Sequence, residues 1–486
     1  MKRIYLTFLA FSLFLGLEVQ NAVNAQTPVN AQNAVHAQDA VNAQNAVHAQ
    51  DAVNAQNAVH AQNAVNAQNA VHAQNAVYAQ NAIHAQNLMN EQKALEGQVL
   101  VRVRVSNPSK EVRENEPVVL DLREYAGVSK AVVMVDGKEI PSQLDDLDRD
   151  CVSDELCFLA NLGKKETKEY EVRLYDQGEQ NAYPARTFAE LVVPSKNKKL
   201  AKNQQDIYLR SLSFDKRTKD PYHFVHSHGV CFESDLVAMR VYFDNRQTID
   251  LYGKVNKGLV LEATQFYPSE QQIAAGSGDD CLWVGNTYGL GALRGWDGSR
   301  QLLLDNVKYQ EQRVISEGPL RAIVEVVDNG WVPAPGLKPI NAVIRYTIYA
   351  GHRDFDVDVR FNKDASDYQF ATGLINVKGS SEMADAHGLR GCYGSDWPTG
   401  KDDGKHKLET VGLGIYVPKA YFVSQQPANA NDYTLVVKPV GYELKYKLAY
   451  TSANETYGFK GEKEWYEWLK NWKKMQEQPL VIKVTK

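Results

Sequence analysis

The 486-residue chain has only five cysteines, almost no net charge, and no long apolar run beyond its first 17 residues. Each shortage closes off a class of explanation. Cys151, Cys157, Cys231, Cys281 and Cys392 are far too few for a disulfide scaffold, and their odd number leaves at least one thiol free. Most read as small buried apolar side chains; Cys151 and Cys157 are the one pair whose local sequence suggests a bridge. No segment after Leu17 approaches the roughly 20 consecutive apolar residues that a membrane helix needs, so no membrane insertion is expected. Lysine and arginine number 54 against 59 aspartates and glutamates. The first 92 residues hold two basic and four acidic side chains, which leaves 52 against 55 in the body. That balance points to neither nucleic acid nor an anionic membrane as a partner.

What is present begins with Lys2 and Arg3, an apolar run from Ile4 to Leu17, and a small-residue box at Val23-Asn24-Ala25. This is the layout of a secretory signal over 1–25, with a periplasmic or secreted product. The first cysteine is Cys151, so no lipid-anchor cysteine follows the signal. Near-copies of one hexamer, as in "NAVNAQ", then run from Asn21 to Gln92 and echo the cleavage box. The unit has no glycine for the turns of a β-helix and too little apolar bulk to fold alone. A disordered tail is expected over 26–92, with its histidines (His36, His48, His60, His72, His84) idle.

From Val99 the pattern is of strands. "VLVRVRVSN", "EPVVLDL", "KAVVMVDGKEI" with its Asp136-Gly137 turn, and "KEYEVRLYD" predict a small β-sandwich over 99–176. A second, larger strand-rich region follows over 177–486. Its clearest piece is "NAVIRYTIYAGHRDFDVDVRFN", a hairpin with Ile344, Tyr346, Ile348, Phe355, Val357, Val359 and Phe361 on its apolar face. Near the end, Trp465, Trp468, Leu469 and Trp472 fall at helical spacing and predict a helix whose stripe packs on the core. A short strand, "PLVIKV", closes the chain.

The segments "HSHGVCFESDLVAMRVYFDNRQTIDLYGK", "DDCLWVGNTYGLGALRGWDG", "RYTIYAGHRDFDVDV" and "LRGCYGSDWP" together resemble a secreted Bacteroidetes family known only as domain of unknown function 4861, over about 97–475. The resemblance implies a galactose-mutarotase-like supersandwich and a neighbourhood of pectin and rhamnogalacturonan degradation. It brings no catalytic residue with it. The expected fold is therefore mainly β: an N-terminal β-sandwich, then a larger β-supersandwich with a C-terminal helix.

Three constellations carry chemistry. In "HFVHSHGVCFESDLVAMRVYFDNR", a strand would hold His226 and His228 side by side, about 7 Å apart, with Glu233, Arg240 and Tyr242 following. These residues supply a base, an acid and a cation, as elimination at a uronic acid requires. In the glycine-rich loops, Arg294, Trp296 and Asp297, then Arg390, Asp396 and Trp397, offer indole faces and charged groups for a sugar. His352 at the hairpin turn could join them. In "QLDDLDRDCVSDEL", Asp146, Asp148, Asp150 and Asp154 have oxygen-ligand spacing for a structural calcium, although Cys151 stands where a calcium loop turns on glycine. A zinc reading of His226 and His228 lacks a third ligand. The expected partner is a glycan or oligosaccharide, with no cofactor required. The expected function is a secreted carbohydrate-active protein, a lyase acting at a uronic acid. The alternatives are a non-catalytic glycan-binding protein and a sugar epimerase or mutarotase.

Overall fold

The computed structural model describes residues 98–125, 127–195 and 206–485, together with short stretches of the repeat, the longest being 54–63. The chain divides into two units, 1–93 and 94–486. In the first, residues 54–63 are helical and exposed, a conformation that alanine and glutamine favour. The expected export signal and cleavage box, and most of the repeat, on which the expected disorder falls, lie outside the described residues.

The second unit opens with the small sandwich. Gln98–Ser106, Thr167–Tyr175, Lys130–Val135 and Lys138–Ile140 share one sheet; Arg113–Asp121, Glu155–Leu162 and Ser142–Asp145 make the other. Alternation sorts the side chains: Val101, Val103 and Val105 are buried with Phe158, Tyr170 and Val172, while Arg102 and Arg104 face water. Asp136 and Gly137 both take positive φ, 52° and 73°, as a two-residue hairpin turn requires. The last strand, Val481–Thr485, returns to pair with Gln98–Ser106, placing Arg104 opposite Lys483. The chain's end thus completes the sandwich at its beginning. Cys157 is buried, Cys151 is exposed on the acidic loop, and both are free, so the suggested bridge is absent.

The larger region is built on a nine-stranded antiparallel sheet, in spatial order Ser211–Asp215, Tyr309–Ser316, Arg321–Trp331, Ile340–Tyr349, Asp354–Phe361, Glu443–Ser452, Glu409–Tyr416, Leu389–Asp396 and Ser381–Ala384. The expected hairpin lies at its centre, with Tyr346 opposite Val357 and Arg345 opposite Asp358. Two five-stranded sheets accompany it. The first holds Asp279–Asp280, Ile249–Gly253, Ala238–Tyr242, Gly229–Ser234 and Thr187–Glu190; the second holds Gln301–Leu302, Arg294–Trp296, Phe370–Ile375, Asp432–Val437 and Phe422–Gln425. One continuous core joins all three sheets, with Phe232 and Leu251 from the first, Val324 and Tyr346 from the large sheet, and Phe370 and Leu435 from the second.

Helix Glu462–Glu477 covers the opposite face of the large sheet, where Trp465, Leu469 and Trp472 are buried with Leu389, Tyr416 and Ala449. The strands beneath offer Gly391 and Gly414, where any Cβ would come within 2.4 and 2.3 Å of Leu469. The tryptophan stripe is packing, as its spacing predicts.

The first five-stranded sheet positions the site. Its inner face gives Val230, Phe232, Met239, Val241 and Leu251 to the core. Its outer face carries Cys231, Glu233, Ala238, Arg240, Tyr242, Asp250 and Tyr252, closed over in part by Leu261 and Phe266.

Candidate functional site

Arg240 and Tyr242 alternate on one strand and so share the outer face, next to Asp250 on the neighbouring strand, which stands opposite Arg240. Arg240 donates to Asp250 Oδ2 from Nε (3.0 Å) and Nη2 (2.6 Å), to Asp280 Oδ2 (3.0 Å) and to the Tyr267 hydroxyl (2.9 Å). Tyr242 donates to the same Asp250 Oδ2 at 2.7 Å. The guanidinium lies 3.9 Å from the Phe266 ring centroid, a cation–π contact strengthened by the exclusion of water. His228 closes the patch. Its ring stacks on Tyr222 at 3.8 Å and stands 6.1 Å from Tyr267 and 6.3 Å from Tyr242.

His226 and His228 do not lie on a strand. They belong to a one-turn 3-10 segment that leads into the strand, with Ser227 and His228 at φ 57° and 63°. Across from them, Gln265 and Phe266 are also left-handed, at 47° and 68°. The Ser227 hydroxyl donates to the Gln265 carbonyl at 2.8 Å and ties the two segments together. Four non-glycine residues in a conformation that costs about 1 kcal/mol or more each are thus gathered at one patch.

The titrating groups are displaced toward their neutral forms. Burial pulls His228 down to about 4. Its Nδ1 donates to the Tyr222 carbonyl (3.1 Å), so the lone pair sits on Nε2. His226 is lowered by burial too, and its Nε2 has no partner. Asp250 and Asp280 both accept from Arg240 Nη2. Burial and the Asp250 charge hold the Asp280 carboxyl well above the usual carboxylate range, against the pull of Arg240. Asp280 remains partly open, its side chain 24% exposed. Glu190, buried on the adjoining strand opposite Cys231, is pushed up to about 8 by burial and by Glu233, and its Oε2 is unpartnered. Burial that favours a neutral imidazole and raises carboxyl pKa values is the kind of setting proton transfer uses.

The structure brings together four of the five expected catalytic residues: His226, His228, Arg240 and Tyr242. Glu233 stands apart. It is fully buried, paired with Lys254, and accepts from the Val260 and Leu261 backbone N–H groups, so it anchors a helix start. Asp250, Asp280, Tyr222, Tyr267 and Glu190 were not legible as members, because sheet register and a returning loop supply them.

The expected sugar-binding residues scatter. Arg294 is fully buried and donates to the Thr248 hydroxyl and the Thr287 and Leu293 carbonyls. Trp296 packs with Tyr288, Ala371 and Val436, and Asp297 caps its own turn through Ser299 and Arg300. Arg390 is buried against Glu382 and the Gln426 and Thr434 carbonyls. His352 bridges Asp354 and the Asn115 carbonyl, both at 2.9 Å. Asp396 lines a separate cleft and accepts from the Trp397 N–H at 2.8 Å; Trp397 is half-buried beside it. In the acidic loop, oxygens of Asp146, Asp148 and Asp154 approach within 4.8 Å of one another. Each also accepts a backbone N–H of that loop, and Asp150 turns to cap Val152 instead of joining the group.

Among solved structures, an alpha-mannosidase from Enterococcus faecalis V583 matches at 9% identity and a TM-score of 0.45, covering 80% of this chain and 46% of its own. A protein in the Glycosyl Hydrolase Family 38 from Enterococcus faecalis matches at 10% and 0.45, covering 80% and 47%. A GH36 alpha-galactosidase from Geobacillus stearothermophilus matches at 9% and 0.18, covering 44% and 39%. The chain spans about half the length of the first two. No curated protein matches the chain. Residues 105–482 match one family model, and by that match the chain belongs to the family described as Domain of unknown function (DUF4861).

Proposed function

We propose that this chain is a secreted carbohydrate-active protein whose outer-face patch transfers protons to and from a sugar, as in mutarotation or epimerisation. The observation that carries this reading is the gathering on one patch of His228, whose burial favours the neutral ring with its lone pair on Nε2, and the partly open Asp280, whose carboxyl is held well above the usual range by burial and the Asp250 charge. In mutarotation, His228 Nε2 takes the anomeric hydroxyl proton while Asp280 protonates the ring oxygen. The C1–O5 bond opens, rotation about C1–C2 exposes the other carbonyl face, and the same groups act in reverse on closure. The exposed Tyr267 offers ring surface for the apolar side of the sugar.

Elimination at a uronic acid has less support. It needs a cation for the substrate carboxylate, and Arg240 commits four hydrogen bonds to Asp250, Asp280 and Tyr267. The test is polarimetry or NMR of anomer exchange in galactose, glucose, rhamnose and galacturonic acid. His228→Asn and Asp280→Asn are each expected to slow exchange by about 100-fold. A wild-type rate equal to that of buffer for every sugar would sink the reading, and unsaturated product from oligogalacturonate would restore elimination in its place.

A further inference from the structure

At one end of the second five-stranded sheet, loops and strand ends converge on a cleft of about 760 Å³, within the range of small-molecule sites. It opens beside Trp283, a residue 54% exposed and the one tryptophan among the described residues with so large an open surface. The ring is seated, not loose. A Cβ built on Gly400 would lie 3.0 to 3.1 Å from Cδ1, Cγ and Nε1, so the glycine backbone covers one face of the five-membered ring. Gly400 has φ +75°, a conformation that also excludes most other residues. The ring lines the cleft with much of its surface open.

Four amides, Asn286, Gln301, Asn376 and Asn431, stand in the rest of the wall. Two features show that it is built. Asn376 is fixed by donating to the Asn429 carbonyl at 2.7 Å and accepting from Ser380. Gln301 donates to Asp432 Oδ2 at 2.8 Å while its own Oε1 is buried with no partner. A buried acceptor left without a partner is unfavourable until a donor reaches it. The charged lining is Asp396, Asp432 and Lys378, with no arginine. A uronate entering here would meet two carboxyl groups against one ammonium.

We propose that this cleft binds a neutral oligosaccharide, with one pyranose ring laid on the open surface of Trp283 and its hydroxyls shared among Asn286, Gln301 and Asn431. The site is separate from the His228–Asp280 patch and stands whether or not that patch turns over a sugar. The test uses the full mature chain with galacto-, manno- and xylo-oligosaccharides as neutral probes and oligogalacturonate as the acidic one. Tryptophan fluorescence and affinity electrophoresis are the readouts. At least one neutral probe is expected to bind, Trp283→Ala to weaken it by about tenfold or more, and Asn431→Ala to weaken it several-fold, both with unchanged melting temperatures. His228→Ala is expected to bind as the wild type does. Failure of every neutral probe, undiminished binding by Trp283→Ala, or preference for oligogalacturonate overturns the proposal. Loss of anomer exchange with binding intact would remove only the catalytic reading.

Discussion

Glu233 shows how far residue type can mislead. In sequence it looks like the carboxylate of an acid–base set, two strand positions past Cys231 and five past His228. In the fold, its side chain and that of Lys254 are both wholly buried, and each satisfies the other. Removing one charge of such a pair strands its partner, which costs about 3–5 kcal/mol. Glu233→Gln is therefore expected to lower stability by that order in chemical denaturation while leaving sugar turnover per folded molecule unchanged. Lost turnover at full stability would put Glu233 back in the chemistry. Arg294 and Arg390 follow the same logic, because their guanidinium groups are spent on internal carbonyls and on Glu382. Trp283 went unnoticed because nothing local distinguishes it from Trp296, which packs against Tyr288 and Val436.

At the level of elements, period carries most of the information. The Ile340–Tyr349 and Asp354–Phe361 hairpin and the Glu462–Glu477 helix were legible because a stripe of apolar side chains at period two or about 3.6 has one sensible partner surface. Trp472 also does something that period does not reveal: its Nε1 donates to Asp354 Oδ2 at 2.9 Å. Trp472→Ala should thus cost about 3–5 kcal/mol for the cavity, with an unpaired acceptor added. The expected result is a large drop in melting temperature, and a drop no larger than that of an exposed substitution such as Lys470→Ala would contradict it. The His226–His228 segment was misjudged as strand for the opposite reason. Its positive φ values accompany a contact to Gln265, which has no signature in the local pattern.

Across the whole unit, the sandwich and the large sheet are fastened by buried polar groups. Arg321 donates to Asp145 and Glu155, both at 2.7 Å, and Gln143 accepts from the Leu320 and Arg321 backbone N–H groups. His352 is a second fastening, joining the hairpin turn to Asn115 of the sandwich. Burial alone would lower its pKa, but the Asp354 charge and hydrogen bond outweigh this and hold it at about 9. A raised folded pKa means stability that is fully present below the unfolded value of roughly 6.5 and is lost as pH climbs through about 9. Melting temperature is expected to fall across that window, and His352→Gln to start lower at pH 6.5 and remove this part of the slope. Equal slopes in the two proteins would show that the imidazolium is not the fastening.

By itself, the sequence determined what depends on near neighbours along the chain: the strand alternation, the Asp136-Gly137 turn, the amphipathic helix and the mainly β class. Local sterics and one-sided burial are enough for these. Tertiary structure alone decided which polar side chains were consumed in holding the sheets together and which stayed open to a ligand. Asp250 and Asp280 reach Arg240 through strand register, and Gly400 comes under Trp283 from more than a hundred residues away. Burial and pairing are properties of the assembled neighbourhood, so no short stretch of sequence contains them.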